Sequence, residues 1–220
     1  MKLSKETQSV LKNFGMINSN LILHPGSEIA TISPGKNIVA KCVVEETFPY
    51  DFGIYDVNEF LSVMSLFDQP DLDFNDKFVL VSEGNNSIKY YAAGASILTQ
   101  TPALKSFPEP DLEFTLTGNT IQHLHKVSSV LKSGDFSVIG KEGKVIAQIT
   151  DRSNPTSNLY NSVIDDTDKE FCVNFKVENL KMIAGDYKVS IANKKISRFR
   201  ASNRTLEYYV AIELDSTFNF

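Results

Sequence analysis

Three histidines and two cysteines are the side chains in this 220-residue sequence best suited to hold a metal or form a covalent bond, and their spacing supports neither. His123 and His125 stand two apart in a helical pattern, so they point to different faces and cannot share an ion. We read both as solvated helix histidines. His24 falls in a Pro-Gly turn with no second ligand near it in sequence. Cys42 and Cys172 lie on strand-like stretches with no pairing pattern, which suits small buried hydrophobes in a reducing compartment.

Other polar groupings read the same way. The clusters Asp71, Asp73, Asp76 and Asp165, Asp166, Asp168 lack the central glycine and closing glutamate of a calcium loop. Gly140-Lys-Glu-Gly-Lys144 lacks the Lys-Ser/Thr ending of a phosphate loop and reads as a hairpin turn. Asn85-Asn-Ser87 and Asn203-Arg-Thr205 match a glycosylation pattern, but the start Met1-Lys-Leu-Ser-Lys5 leads into a polar helix rather than an apolar signal core. No nucleophile and base stand together. The expectation is a protein that is not an enzyme and carries no metal or cofactor.

The remaining chemistry is charge. Lysine and arginine total 22 against 27 aspartate and glutamate, a net charge of -5 and a pI near 5.3, which argues against a protein held on DNA or membrane by bulk attraction and makes any nucleic-acid contact local. No apolar run approaches the roughly 18 residues of a membrane span. The four helical patterns 4–14, 56–67, 119–132 and 176–183 run against this balance. They carry Lys5, Lys12, Lys126, Lys132, Lys176 and Lys181 against Glu6, Asp56, Glu59 and Glu178, an excess of two positive charges.

Those helices sit in a repeated frame, and the periodicity predicts an α+β fold. Strand 171–175 leads into Val177, Leu180 and Ile183 at helical spacing, then a Gly185 stop and strand 187–191. Strand 112–116 leads into Ile121, Leu124, Val127 and Leu131, with Asn119 as N-cap and Gly134 as stop, then strands 136–139 and 144–149. A third copy runs from Phe52–Tyr55 through Phe60, Leu61 and Met64 and ends at Pro70. The fourth opens the chain, with Ser4 as cap, Val10, Leu11 and Phe14 on one face and Gly15 as stop before strands at Leu21, Ile29 and Ile38.

The turns His24-Pro-Gly-Ser27 and Ser33-Pro-Gly-Lys36 fit type II, and hairpins are expected at Ser82-Glu-Gly-Asn85 and Lys141-Glu-Gly-Lys144. Three prolines within 102–110 forbid a continuous helix or central strand. The expected organisation is a first domain 1–99, a connector 100–110 and a second domain 111–220.

In this frame the sequence resembles the T-even-type phage sliding clamps, processivity factors of replicative DNA polymerases. The resemblance is carried by Met1-Lys-Leu-Ser-Lys5, Leu11-Lys-Asn-Phe14, Ile17-Asn-Ser19, Ile54-Tyr-Asp56 with Asn58, Phe60, Leu61, Ser65 and Leu66, Lys141-Glu-Gly-Lys144, Gly185 with Tyr187-Lys188, and Val210-Ala211, Glu213, Asp215-Ser-Thr217 and Phe220. It spans almost the whole chain and is thinnest over 67–109 and 152–167.

The resemblance implies the DNA-clamp fold: two similar domains, each a doubled strand-helix-hairpin repeat, with sheets outside and helices lining a ring. It implies a homotrimer closed head to tail around duplex DNA without sequence specificity, a DNA polymerase and an ATP-dependent clamp loader as partners, and action in the cytoplasm of an infected bacterial host. It leaves open whether late-transcription proteins also dock. Lys5, Lys12, Lys126, Lys132, Lys176 and Lys181 are then the expected DNA-facing residues, although Ser129 stands where resembling sequences are basic. Strand 88–93, through Ile88, Tyr90 and Tyr91, is expected to pair with Leu159, Tyr160, Val163 and Ile164 of the next chain. Leu104, Phe107 and Leu214 are the expected partner pocket. The alternative is an acidic, β-rich structural subunit of a phage particle with no DNA role.

Overall fold

Ser4 starts the first helix, α1 (Lys5–Ile17), its hydroxyl accepting from Thr7 N at 3.1 Å in an extended cap conformation. The Glu46 carboxylate accepts from Ser4 N and Thr7 Oγ1, which fixes the cap to the sheet. Val10, Leu11, Phe14 and Ile17 are buried at helical spacing. The helix runs through Gly15, contrary to the expected stop, because that glycine faces the next helix, where a Cβ would lie 3.2 Å from Val57 Cβ.

The structure is a computed structural model describing residues 1–103, 106–192 and 196–220. Its contacts divide the chain into two units, Met1–Leu104 and Lys105–Phe220. In the first unit α1 is followed by β1 (Leu21–Leu23), β2 (Gly26–Ile32), β3 (Ile38–Phe48), β4 (Phe52–Ile54), α2 (Val57–Met64), β5 (Asp71–Phe74), β6 (Phe78–Glu83), β7 (Asn86–Tyr91) and a 3₁₀ turn, Ala95–Ile97. β1 pairs with β4, β2 with β3, and β5-β6-β7 form a meander, all antiparallel. α1 packs over β2, β3 and α2. α2 ends at Met64, well before Pro70.

The second unit runs β8 (Leu112–Leu116), α3 (Gly118–Leu131), β9 (Asp135–Lys141), β10 (Lys144–Thr150), β11 (Tyr160–Asp166), β12 (Phe171–Lys176), β13 (Tyr187–Ala192), β14 (Ile196–Ala201), β15 (Leu206–Ala211) and β16 (Thr217–Phe218). One sheet has the order β11-β10-β9-β12-β16, and β8, β13, β14 and β15 pair in that order. The expected helix 176–183 is a single 3₁₀ turn, Val177–Asn179.

α3 is capped by Thr117, whose hydroxyl accepts from Thr120 N, rather than by Asn119. It ends at Lys132 in the left-handed region, φ 53°, before Gly134 is reached. The turn at 33–36 has its positive φ at Lys36, not Gly35, so it is not type II. The first hairpin turns one residue later than expected, between Glu83 and Asn86. Glu142 and Gly143 both have positive φ, the type I′ geometry that matches strand twist. Gly140 stands opposite Phe171, and a Cβ there would fall 2.3 Å from the Phe171 ring.

Candidate nucleic-acid and assembly surfaces

Lys5 and Lys12 are exposed on α1, two turns apart and opposite its buried stripe, which separates their backbones by ~10 Å at the helical rise. Gln8 and Ser9 lie between them, and with Leu61, Ser65 and Asp68 they line an open groove of about 540 Å³ between α1 and the end of α2. Cations on a rigid scaffold in such a groove can hold phosphate oxygens without covalent chemistry.

The second unit arranges its lysines differently. Lys126 is exposed on α3, beside His123 and Val130 and facing the start of β11. Lys132 is exposed at the helix C-terminus, where the helix dipole favours a cation. Lys181 is exposed in the segment after the 3₁₀ turn, not on a helix.

Lys176 departs furthest from the expectation. Its Nζ lies 2.5 Å from Asp135 Oδ1, which neutralises its charge, and this hydrogen bond raises its pKa. Burial pushes the Asp135 carboxyl up, but hydrogen bonds from Lys176 and from Arg152 N hold it below its ordinary value. Arg152 also bridges to Asp215. This cluster joins residues up to 80 positions apart, so no local pattern in the sequence announces it.

The expected interface residues fall on two sheet edges. β7 is the edge of the three-stranded meander and β11 the edge of the five-stranded sheet. Tyr91 is 68 %, Leu159 54 % and Val163 62 % exposed, while Ile88, Tyr160 and Ile164 are half-buried. The Tyr90 side chain is buried in the core of its unit. Its ring packs edge-on against Phe60 of α2 at 5.2 Å, and burial with the nearby Glu59 carboxylate pushes its phenol up to about 12. Ile164 sits at a register shift in the β10-β11 ladder. Leu159 and Tyr160 join His123, Val127 and Val130 around a groove of about 290 Å³ on α3.

The opposite edges carry backbone partners. Met1 exchanges both backbone hydrogen bonds with Leu72 on β5, and residues 213–219 run along β12. Neither pairing is visible in the sequence, because backbone pairing leaves no residue-type signal.

Of the expected partner pocket, Leu104 lies outside the described residues. Phe107 packs against Tyr209, ring centroids 6.1 Å apart, with the Arg198 guanidinium 4.6 Å above its ring. Leu214 is 79 % exposed in the loop after β15. His125 is half-buried with Nε2 3.0 Å from Leu180 O, so it is not the solvated histidine expected, whereas His123 is exposed, 5.3 Å from the Tyr160 ring. Among the described residues no group of three or more His, Cys, Asp or Glu is arranged to hold a metal, and no helix is long and apolar enough to cross a membrane.

This architecture is the α+β fold of the DNA clamps: over 94 % of the chain it is similar to the proliferating cellular nuclear antigen of Entamoeba histolytica, with a TM-score of 0.66 at 15 % identity and 95 % of that chain covered. Residues 4–98 match the family described as DNA polymerase processivity factor, and residues 113–214 match the C-terminal part of the gp45 sliding clamp. The sliding clamp of Vibrio phage KVP40 is 36 % identical over 97 % of this chain and 99 % of its own length. That of Enterobacteria phage T4 is 30 % identical over the full length of both. The chain belongs to this family of phage sliding clamps, and the structural-subunit alternative finds no support.

Proposed function

We propose that this chain is the processivity subunit of a phage replicative DNA polymerase, acting as a closed ring of three copies on duplex DNA in the host cytoplasm. Domains 1–99 and 111–220, joined by the connector 100–110, supply the edge strands β7 and β11. The pairing of β7 with β11 of the next copy is heterologous and closes at a fixed number. The observation that carries this reading is that β7 and β11 each end a sheet, one in each unit, and these are the two edges the interface needs.

Inside the ring, Lys5 and Lys12, with Lys126, Lys132 and Lys181, offer phosphate contacts that salt weakens and that let the ring slide. Tethering makes polymerase rebinding intramolecular at high effective concentration. An ATP-driven loader opens the ring. Polymerase and loader dock short hydrophobic tails near Leu104, Phe107 and Leu214.

Two measurements test this. Light scattering at micromolar concentration is expected to give near three times 24.5 kDa, and the protein, with loader and ATP, is expected to lengthen the DNA made per polymerase binding event. A stable monomer, or unchanged product length, would falsify it. Reversing Lys5 and Lys12 together to glutamate is expected to cut loading severely and lower the salt slope of DNA binding by about 1 per lysine, with thermal stability within about 0.5 kcal/mol of wild type. Wild-type stimulation by that variant would remove the α1 groove from the DNA surface.

A further inference from the structure

We propose that residues 213–220 are an edge cover. They occupy the outward backbone groups of β12 that would otherwise take a strand from a second copy of this chain, and so keep chain-to-chain pairing off this edge. The inference rests on the ring reading above.

β12 has the character of a strand that pairs readily. Phe171, Val173 and Phe175 are buried, no charge interrupts 171–175, and the far side of the strand is the edge of its sheet but for this segment. The cover accounts for that side residue by residue. Glu213 N donates to Asn174 O at 2.8 Å, and Ser216 Oγ accepts from Asn174 N at 3.0 Å. Thr217 and Phe218 stand opposite Cys172 and Phe171, and Asn219 N donates to Glu170 O at 3.0 Å.

Side chains then fasten the segment. Asn174 Nδ2 donates to Asp215 Oδ1 at 3.1 Å, Arg152 bridges to the same carboxylate, and Lys169 Nζ lies 4.6 Å above the Phe220 ring. β11, the other edge of this sheet, carries no such strand among the described residues. A head-to-tail ring needs two complementary open edges per chain. A further pairing edge on the sheet that carries β11 would let rings branch or leave the closed path.

The test compares wild type with Asn219→Pro, which removes one donor to Glu170, and with Thr217→Pro combined with Asp215→Ala, which removes a ladder donor and the side-chain anchor. Hydrogen exchange over 170–174 is expected to quicken at least tenfold in the double variant and less in the single one. Sedimentation velocity is expected to show species heavier than the wild-type assembly that grow with concentration. A peptide of sequence 213–220 added in trans should return the distribution toward wild type.

Faster exchange with an unchanged mass distribution overturns the proposal, as does unchanged exchange in both variants. If the double variant fails to fold, Asn219→Pro alone decides by the same two readings. A wild-type protein that never forms a ring would sink the functional reading instead, since that result appears before any variant is made.

Discussion

Segments 57–64 and 177–183 each follow a short strand and carry apolar residues at helical spacing, yet only the first becomes an α-helix, the second forming a single 3₁₀ turn, Val177–Asn179. The difference lies at the cap. Asp56 Oδ1 accepts from Asn58 N and Glu59 N, while the corresponding start in the second unit is Lys176, which has no acceptor in its side chain and is tied to Asp135. Downstream, Tyr208 Oη accepts from Ile183 N and Tyr187 Oη donates to Ile183 O, so side chains take backbone groups that a helix would have paired internally. An eight-residue helix is marginal by itself. The lesson is that apolar spacing proposes a helix, and caps with competing side-chain partners decide it. The first unit therefore presents two packed helices with a lysine groove, and the second presents one.

The largest expected effect that sharpens this contrast is in the α2 core. Phe60 is fully buried against Tyr90, so Phe60→Ala is expected to cost about 3–5 kcal/mol by denaturant midpoint. Val177→Ala, at a half-buried site, should cost far less. Equal costs would mean that the 3₁₀ segment anchors its unit as firmly as α2 does.

A middle-sized effect concerns the Asp135 cluster. The folded carboxyl is depressed below 3.8, so its stabilisation is present above that pH and is lost as pH falls through the lower folded value. Asp135→Asn is expected to lower stability at neutral pH by about 1.5–3 kcal/mol and to flatten the acid limb of a stability-against-pH curve. An unchanged acid limb would show that other carboxylates govern it. The smallest effect is at the α2 cap, where Asp56→Ala should cost about 1 kcal/mol with loss of helical signal. Lys176→Ala should leave helical content unchanged. A loss of helix in both would break the comparison.

Much of this architecture was legible because strands and helices bury periodic faces. The strands 112–116, 171–175 and 187–191, the Ser4 cap and the Lys141–Lys144 hairpin are visible in side-chain pattern alone, since each depends on neighbours within a few residues. Helix ends were less legible. Gly15 looks like a stop but serves a close helix approach, and Lys132 adopts the left-handed conformation that glycine more often takes. Of the surface residues, Lys5 and Lys12 follow from their position opposite an apolar stripe. Lys176 does not, because its partner Asp135 is 41 positions away on another strand. Tyr90 similarly reads as an edge residue until α2 is seen beneath it.

The opposition of Gly140 and Phe171 also works as an index mark. The ring fills the volume that a side chain at 140 would need, and Lys169 O closes the remaining space at 2.5 Å from the Cβ position. Sliding β12 by one residue along β9 would set Cys172 or Glu170 over the gap, turn the phenylalanines out of the core and leave a void where the ring had been. Alignment of the two strands is thereby set to a single position. Every backbone group that β12 turns outward inherits its place from that one missing side chain.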